Sequence, residues 1–261
     1  MKFLTKEDWE NILNKLSFNK ITTKETPVEK LFFEISQRIK DIITKNKYDH
    51  TSYGIAMTLF HYYICFNDIR SIDKIQICFA CIYMSSKIQF YNYPQKMLLS
   101  EYKKYIETEN IQGYDKKPLP DFTKYEVQLY SQLGYDLDII TPFQFFYWEF
   151  YSKYPYSKSQ EGINKLEQLK NFCFNLINDT YTRPLSIYYH PKIIYLSCLI
   201  FSLKFLKYED DINELLKNEK IDLITECMEK IYYIYSKYIE DNSNKKNNMN
   251  NDKINTNNDD A

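Results

Sequence analysis

The strongest constraint on the fold is an uncharged apolar segment, Ile75 to Ser86, that has no consistently polar side. A helix that is hydrophobic all round must be buried all round. The segment is shorter than the roughly 18 apolar residues of a membrane span, so it predicts the central helix of a soluble domain, surrounded by other helices. Ser71 and Asp73 supply capping oxygens before it, and Lys87 follows it where a cation complements the helix dipole.

The same pattern occurs a second time in the chain. Residues 80–87, Ala-Cys-Ile-Tyr-Met-Ser-Ser-Lys, are echoed by residues 197–204, Ser-Cys-Leu-Ile-Phe-Ser-Leu-Lys, at an offset of 117 positions (198 − 81 = 117). This offset is much longer than the ~20–50 residues of solenoid repeats. A chain of 261 residues is long enough to bury two cores. The repeat therefore predicts two related helical domains.

Amphipathic helices are predicted around both apolar segments, and no segment alternates strictly with period two, so the expected fold class is all-α. The predicted helices cover residues 28–46, 52–66, 71–90, 94–109, 122–133, 143–154, 160–179, 191–206, 209–217 and 221–240. In the fourth of these, Met97, Leu98, Tyr102 and Ile106 are expected to share one face. Gly134 follows the fifth as a left-handed cap.

The chain is predicted to have four parts. Residues 1–27 hold a short amphipathic helix and a connector, residues 28–139 form a first helical domain, and residues 140–240 form a second. Residues 241–261 are mostly Asn, Lys and Asp, so they are expected to be disordered. No signal peptide is expected, because the first residues become acidic before an apolar run forms.

Composition argues against several classes of function. The net charge of −1 offers no basic field for nucleic acid or an anionic membrane. Cys78 and Cys81 form a C-x-x-C pair, but the second half of a four-thiolate zinc site is missing. The six cysteines mostly lie in apolar helical contexts. They are expected to be buried, reduced thiols in an intracellular protein.

Enzyme signatures are also missing from the sequence. The four glycines are scattered, which excludes a phosphate loop or a dinucleotide fingerprint. The three histidines have no Cys, Ser or Glu at motif spacing, and His61 is expected to be a helix-face residue rather than a base. No cofactor, metal or small-molecule substrate is expected, and the chain is predicted to be a binding module rather than a catalyst.

The order of the motifs resembles the cyclin family. The segment ending at Lys87 is similar to the third helix of a cyclin box, and Glu126 followed by Leu-Gly-Tyr-Asp-Leu at residues 133–137 is similar to the fifth. Asn-Asp-Thr-Tyr-Thr at residues 178–182, Leu-Ser-Ile at 185–187 and His-Pro-Lys-Ile-Ile at 190–194 resemble the second box of the transcription-type cyclins K, T and L. The resemblance covers about residues 28–240 and implies two tandem five-helix cyclin boxes.

The resemblance implies that the chain binds and activates the catalytic subunit of a cyclin-dependent protein kinase, in transcription or RNA processing. In cyclins, the lysine matched by Lys87 and the glutamate matched by Glu126 form the pair that grips the regulatory helix of the kinase. The apolar residues that could support this contact are Ile88, Val127, Leu129, Tyr130 and Leu133. Direct contact with nucleic acid or a membrane is not expected, and nuclear localisation follows from the family alone, with a cytoplasmic pool left open.

The chain departs from the cyclin pattern at two places. Many cyclins follow the lysine with an apolar residue and two acids, whereas this chain has Ile88-Gln89-Phe90, which puts contacts to the kinase activation segment in doubt. Its first helix lacks the Met-Arg-Ala-Ile-Leu run with which cell-cycle cyclins dock substrates, and this favours a transcriptional cyclin. Two alternatives stay open: a cell-cycle-type or divergent cyclin, and a cyclin-fold scaffold or general-transcription-factor-like adaptor that activates no kinase.

Overall fold

A computed structural model describes residues 27–67, 72–91, 94–109, 120–154, 159–208, 212–217 and 219–236. Within these ranges the regular structure is helical and no strand occurs, which confirms the all-α prediction. The predicted N-terminal helix and the predicted disordered tail at residues 241–261 lie outside the described residues. None of the described helices is both long and apolar enough to span a membrane.

The helices follow one another closely along the chain. They are α1 (Pro27–Lys45), α2 (His50–Phe66), α3 (Lys74–Ile88), α4 (Gln95–Thr108), α5 (Phe122–Gln132), α6 (Pro142–Phe145), α7 (Tyr151–Lys153), α8 (Gln160–Thr180), α9 (Leu185–Tyr188), α10 (Pro191–Leu206), α11 (Ile212–Leu215) and α12 (residues 221–236). A π-helical turn, Phe146–Phe150, joins α6 to α7. Below, the first half means α1–α5 and the second half means α6–α12.

Helix α3 is the centre of the first half. The carboxylate of Asp73 caps it by accepting hydrogen bonds from the backbone N–H groups of Ile75 (3.3 Å) and Gln76 (3.2 Å). Ser71, the other predicted cap, lies outside the described residues. Helices α1, α2, α4 and α5 all pack against α3, and ten of its 15 residues are buried. The prediction of a central helix surrounded by others is confirmed.

Helix α10 repeats this arrangement in the second half. It starts 117 positions after the start of α3 (191 − 74 = 117), and ten of its 16 residues are buried. Helices α6, α8, α9 and α11 pack around it. Its buried serines are hydrogen-bonded: Ser197 donates to the carbonyl of Ile224 in α12 (3.2 Å), and Ser202 donates to the carbonyl of Cys198 (2.7 Å). The repeat seen in the sequence is therefore a repeat of buried central helices.

The two halves meet along α2. The ring of Tyr53 packs edge-on against the ring of Tyr181, with centroids 5.4 Å apart. Gly54 allows this approach, because a Cβ atom there would lie 2.7 Å from the Tyr181 hydroxyl. Nδ1 of His61 lies 3.0 Å from Oγ of Ser186. His61 is thus fully buried between the halves rather than on an open helix face, and burial lowers its pKa to about 3.

Other local predictions had mixed outcomes. Gly134 has a φ of +63°, which confirms the left-handed cap after α5. Of the four residues expected to share one face of α4, Leu98 and Tyr102 are buried but Met97 is 53% exposed, because α4 packs mainly on α3 and buries only a narrow stripe. The helix predicted over residues 143–154 contains the π-helical turn, and the short helix α9 was not among the predicted helices.

Candidate functional site

The candidate site lies where the carboxyl end of α3 meets the start of α5. Asp121 caps α5 by accepting a hydrogen bond from the backbone N–H of Thr123 (3.1 Å). This bond fixes the first turn of α5, and Glu126 follows that turn. The ammonium nitrogen of Lys87 lies 2.6 Å from Oε1 and 2.9 Å from Oε2 of Glu126. The packing of α5 on α3 thus joins two residues that are 39 positions apart in the sequence.

The surroundings hold the charge of Lys87 in place. Its ammonium nitrogen lies 4.4 Å from the centroid of the Tyr83 ring, in cation–π geometry. Burial by itself lowers the pKa of Lys87, but hydrogen bonding and the negative charge of Glu126 outweigh burial and raise that pKa above its ordinary value. Burial and the same carboxylate raise the pKa of the Tyr130 phenol. Lys87 is therefore ionised and oriented at neutral pH.

The ion pair is open to a partner. The side chain of Lys87 is 40% exposed and that of Glu126 is 14% exposed. An ion pair of this kind contributes only about 0.2–1 kcal/mol to folding. An ammonium group is a strong donor to carboxylates and to backbone carbonyls, which are concentrated at the carboxyl ends of helices. The arrangement can therefore recognise such acceptors on another molecule.

The predicted apolar anchors divide into two groups. Val127 is 60% exposed on α5, while Ile88 and Tyr130 are half-buried beside the ion pair. Leu129 and Leu133, in contrast, are buried in the core. Leu129 faces the core from α5 and Leu133 follows the last residue of that helix, so their part in kinase binding stays a prediction. They support the surface from beneath.

Two exposed aromatic residues that follow α3 and α5 were not among the predicted contacts. Phe90, at the end of α3, is 95% exposed, and Tyr135, after α5, is also exposed. Both have left-handed backbone angles, with φ of +56° and +62°. The sequence contained a signal that Phe90 is exposed. Phe90 comes after Lys87, the first charged residue beyond the apolar segment, so it does not continue the pattern of buried helical residues.

The thiols do not form a second site. All six cysteines are free; Cys65 is partly buried and the others are fully buried. Burial raises the pKa of Cys78 to about 12 and also raises the pKa of Cys81 well above its ordinary value. Among the described residues, no group of three or more His, Cys, Asp or Glu side chains could hold a metal ion. The buried thiols agree with the prediction of small core residues.

Comparison of the sequence with known proteins gives distant relatives. No family model matches the chain. Cyclin-K of Danio rerio is 19% identical over 172 residues, which is 66% of this chain and 39% of that protein. Cyclin-K of Homo sapiens is 19% identical over the same length, which is 28% of that protein. The chain therefore matches well under half the length of these curated relatives.

Comparison of the structure gives the fold. A chain of the yeast TFIIK (Kin28/Ccl1/Tfb3) complex matches with a TM-score of 0.59 and 17% identity, over 88% of this chain and 96% of that chain. A chain of the CAK complex of Chaetomium thermophilum, bound to ATP-γ-S, matches with a TM-score of 0.57 and 12% identity, over 87% of this chain and 70% of that chain. The protein has the cyclin fold, and its sequence resembles the transcription-type cyclins, as its motifs predicted.

Proposed function

We propose that this chain is the regulatory subunit of a cyclin-dependent protein kinase that acts in transcription. It would bind and activate the catalytic subunit, and the complex would phosphorylate the tail of RNA polymerase II or RNA-processing factors in the nucleus. The observation that carries the proposal is the ion pair of Lys87 and Glu126, the two residues that the cyclin resemblance matches to the kinase-binding pair. The relatives named cyclin-K support the transcriptional role.

The mechanism follows from the chemistry of the pair. Lys87 is held by Glu126 and stays partly exposed, so it can donate to acceptors at the end of the kinase regulatory helix. Exposed Val127 and half-buried Ile88 offer apolar contact on either side. Docking would swing the regulatory glutamate of the kinase onto its ATP-positioning lysine, so that binding energy assembles the catalytic site of the partner.

The pair has a close control elsewhere in the molecule. Lys192 and Glu219 in the second half are also joined at 2.6 Å, with side chains that are 34% and 21% exposed. Their separation and exposure resemble those of Lys87 and Glu126. If Lys87 and Glu126 bind a kinase, replacing Lys192 and Glu219 should leave kinase binding unchanged.

The test compares three forms of the full chain: wild type, the Lys87→Ala/Glu126→Ala variant and the Lys192→Ala/Glu219→Ala variant. Each is tagged, recovered from cells of the source organism, and assayed for kinase activity on a polymerase-tail peptide. We expect wild type and the Lys192→Ala/Glu219→Ala variant to recover the same kinase in equal amount. The Lys87→Ala/Glu126→Ala variant should recover at least about 90% less of this kinase than wild type. The stability of both variants should stay within about 0.5 kcal/mol of wild type per substitution.

The alternatives predict different results. Wild type that is folded but recovers no kinase would favour a cyclin-fold adaptor. Equal loss in both variants would remove the candidate site from the interface. Recovery of a kinase that ignores the tail peptide but phosphorylates cell-cycle substrates would favour a cyclin of that kind.

A further inference from the structure

Phe90 occupies an unusual position beside the ion pair. It is 95% exposed, although it is one of the largest apolar side chains. Its φ of +56° lies in the left-handed region, which glycine adopts easily and bulky residues adopt rarely. Exposure and backbone strain in one residue call for a reason outside the folding of the turn.

The turn itself does not require an aromatic residue. The end of α3 is closed by hydrogen bonds from the N–H of Phe90 to the carbonyl of Lys87 (3.0 Å) and from the N–H of Tyr91 to the carbonyl of Ser86 (2.8 Å). This is the hydrogen-bond pattern with which a left-handed residue ends a helix.

The second half contains the same turn with a different residue in it. The position 117 after Phe90 is Lys207, whose φ is +61°. The N–H of Lys207 bonds the carbonyl of Lys204 (3.2 Å), and the N–H of Tyr208 bonds the carbonyl of Leu203 (2.8 Å). Lysine therefore meets every backbone requirement of this turn, and a solvated lysine is the ordinary choice for an exposed position. The phenylalanine in the first half is not explained by the fold.

The turn holds Phe90 firmly next to the ion pair. The ring of the following Tyr91 stacks on Tyr48, with centroids 5.0 Å apart and planes 29° from parallel. The backbone N–H of Phe90 bonds the carbonyl of Lys87. Anchoring on both sides orders the backbone before any partner arrives, which reduces the entropy that binding must remove.

The charges near Phe90 indicate what it can contact. Ile88, Gln89 and Phe90 are uncharged, and the charge of Lys87 is matched by Glu126. Residues 88–90 themselves thus carry no charge, while the carboxylate of Asp49 contacts the following Tyr91. An exposed aromatic ring on such a surface fits an apolar pocket.

We infer that Phe90 is an apolar anchor that inserts into a hydrophobic pocket of the kinase, next to the segment that Lys87 and Glu126 hold. It favours a kinase with an apolar pocket at that place, because uncharged polar groups there would lose their hydrogen bonds to water against the ring. This inference rests on the proposed function.

The test uses the purified kinase recovered with the wild-type chain and measures its dissociation constant with the full chain. Phe90→Lys copies the residue of the second half and should weaken binding about tenfold or more. Phe90→Leu keeps an apolar side chain and should stay within about threefold of wild type. Lys207→Phe, which builds the same exposed ring in the other half, should change binding by less than about twofold.

A glycine variant separates binding from folding. Phe90→Gly removes both the ring and the backbone strain, so it should weaken kinase binding as Phe90→Lys does while raising thermal stability. Loss of binding in this variant could not be attributed to unfolding. In addition, p-benzoyl-phenylalanine at position 90 should cross-link under light to a kinase peptide rich in apolar residues.

The outcomes distinguish the inference from the proposed function. Phe90→Lys and Phe90→Gly with wild-type affinity, while Lys87→Ala/Glu126→Ala loses binding, would overturn the inference and leave the function standing. A cross-link from position 90 to a second copy of this chain would overturn it in favour of self-association. Failure of wild type to bind any kinase would overturn both.

Discussion

The two central helices are alike through their length and differ at their carboxyl ends. Helices α3 and α10 start 117 positions apart, are buried along most of their residues, and end in the same left-handed turn. Beyond the buried part, α3 ends in Lys87, paired with Glu126, and in exposed Phe90. In α10 the matching residues are Lys204 and Lys207, and no acidic residue among those described pairs with Lys204.

This difference separates what the fold requires from what it does not. The interior of each helix must be apolar because neighbours cover it on every side, so both copies keep that character. The end of each helix reaches solvent, where most residues fold equally well. The special chemistry at the end of α3 is therefore the part of the repeat that folding leaves free, and it is where we propose that the kinase binds.

The largest effects are expected in the shared interior. Ile82 in α3 and Leu199 in α10 lie 117 positions apart and are both fully buried. Replacing either by alanine should lower the free energy of unfolding by about 2–5 kcal/mol, because each change leaves a cavity. Urea denaturation of the two variants would test this. A small loss in only one helix would show that the two cores are not packed alike.

The second expectation concerns the contact between the halves. His61 of α2 is buried against Ser186 and has a pKa lowered to about 3, whereas in the unfolded chain it titrates near 6.5. Between these values the unfolded chain binds the extra proton, so stability rises with pH and is lost as pH falls below 6.5. From pH 7 to pH 5 this histidine alone should remove about 2 kcal/mol.

Urea denaturation at several pH values would test this expectation. Between pH 7 and pH 5, the free energy of unfolding of the His61→Gln variant should fall by about 2 kcal/mol less than that of wild type. This difference does not depend on how stable the variant is at pH 7. His50 and His190, whose pKa values burial also lowers, remain in both proteins and provide the background slope. An unchanged slope in the variant would show that His61 is more hydrated than its packing indicates.

Much of the fold could be predicted from the sequence, because the signals were local. The range of α10, residues 191–206, was predicted without error, since a proline at the start and a long apolar run define it. Asp73 was identified as the cap of α3 from its type and position alone. The apolar repeat indicated two buried helices before any contact was known.

Other features depended on neighbours that the sequence does not name. Met97 was expected to share a face with Leu98 and Tyr102, yet the described elements leave it 53% exposed, so periodicity alone does not give its burial. Leu129 lies on α5, the helix that carries Glu126, and Leu133 follows its last residue. That both side chains face the core became clear only from the packing of α5 on α3. The π-helical turn has no distinguishing pattern in its aromatic run.

The smallest effect concerns the two helix ends themselves. Phe90→Gly and Lys207→Gly each place glycine where φ is positive. The change removes a steric conflict between Cβ and the carbonyl oxygen, which stabilises the folded chain. Glycine also gains conformational entropy in the unfolded chain, which opposes part of this gain. We expect each variant to raise the free energy of unfolding by roughly 0.5–1 kcal/mol, measured by urea denaturation. Because the two turns have the same hydrogen bonds, the gains should be equal. A gain at Lys207 without one at Phe90 would mean that the ring of Phe90 already stabilises the free protein, and its exposure would then be a matter of folding rather than of recognition.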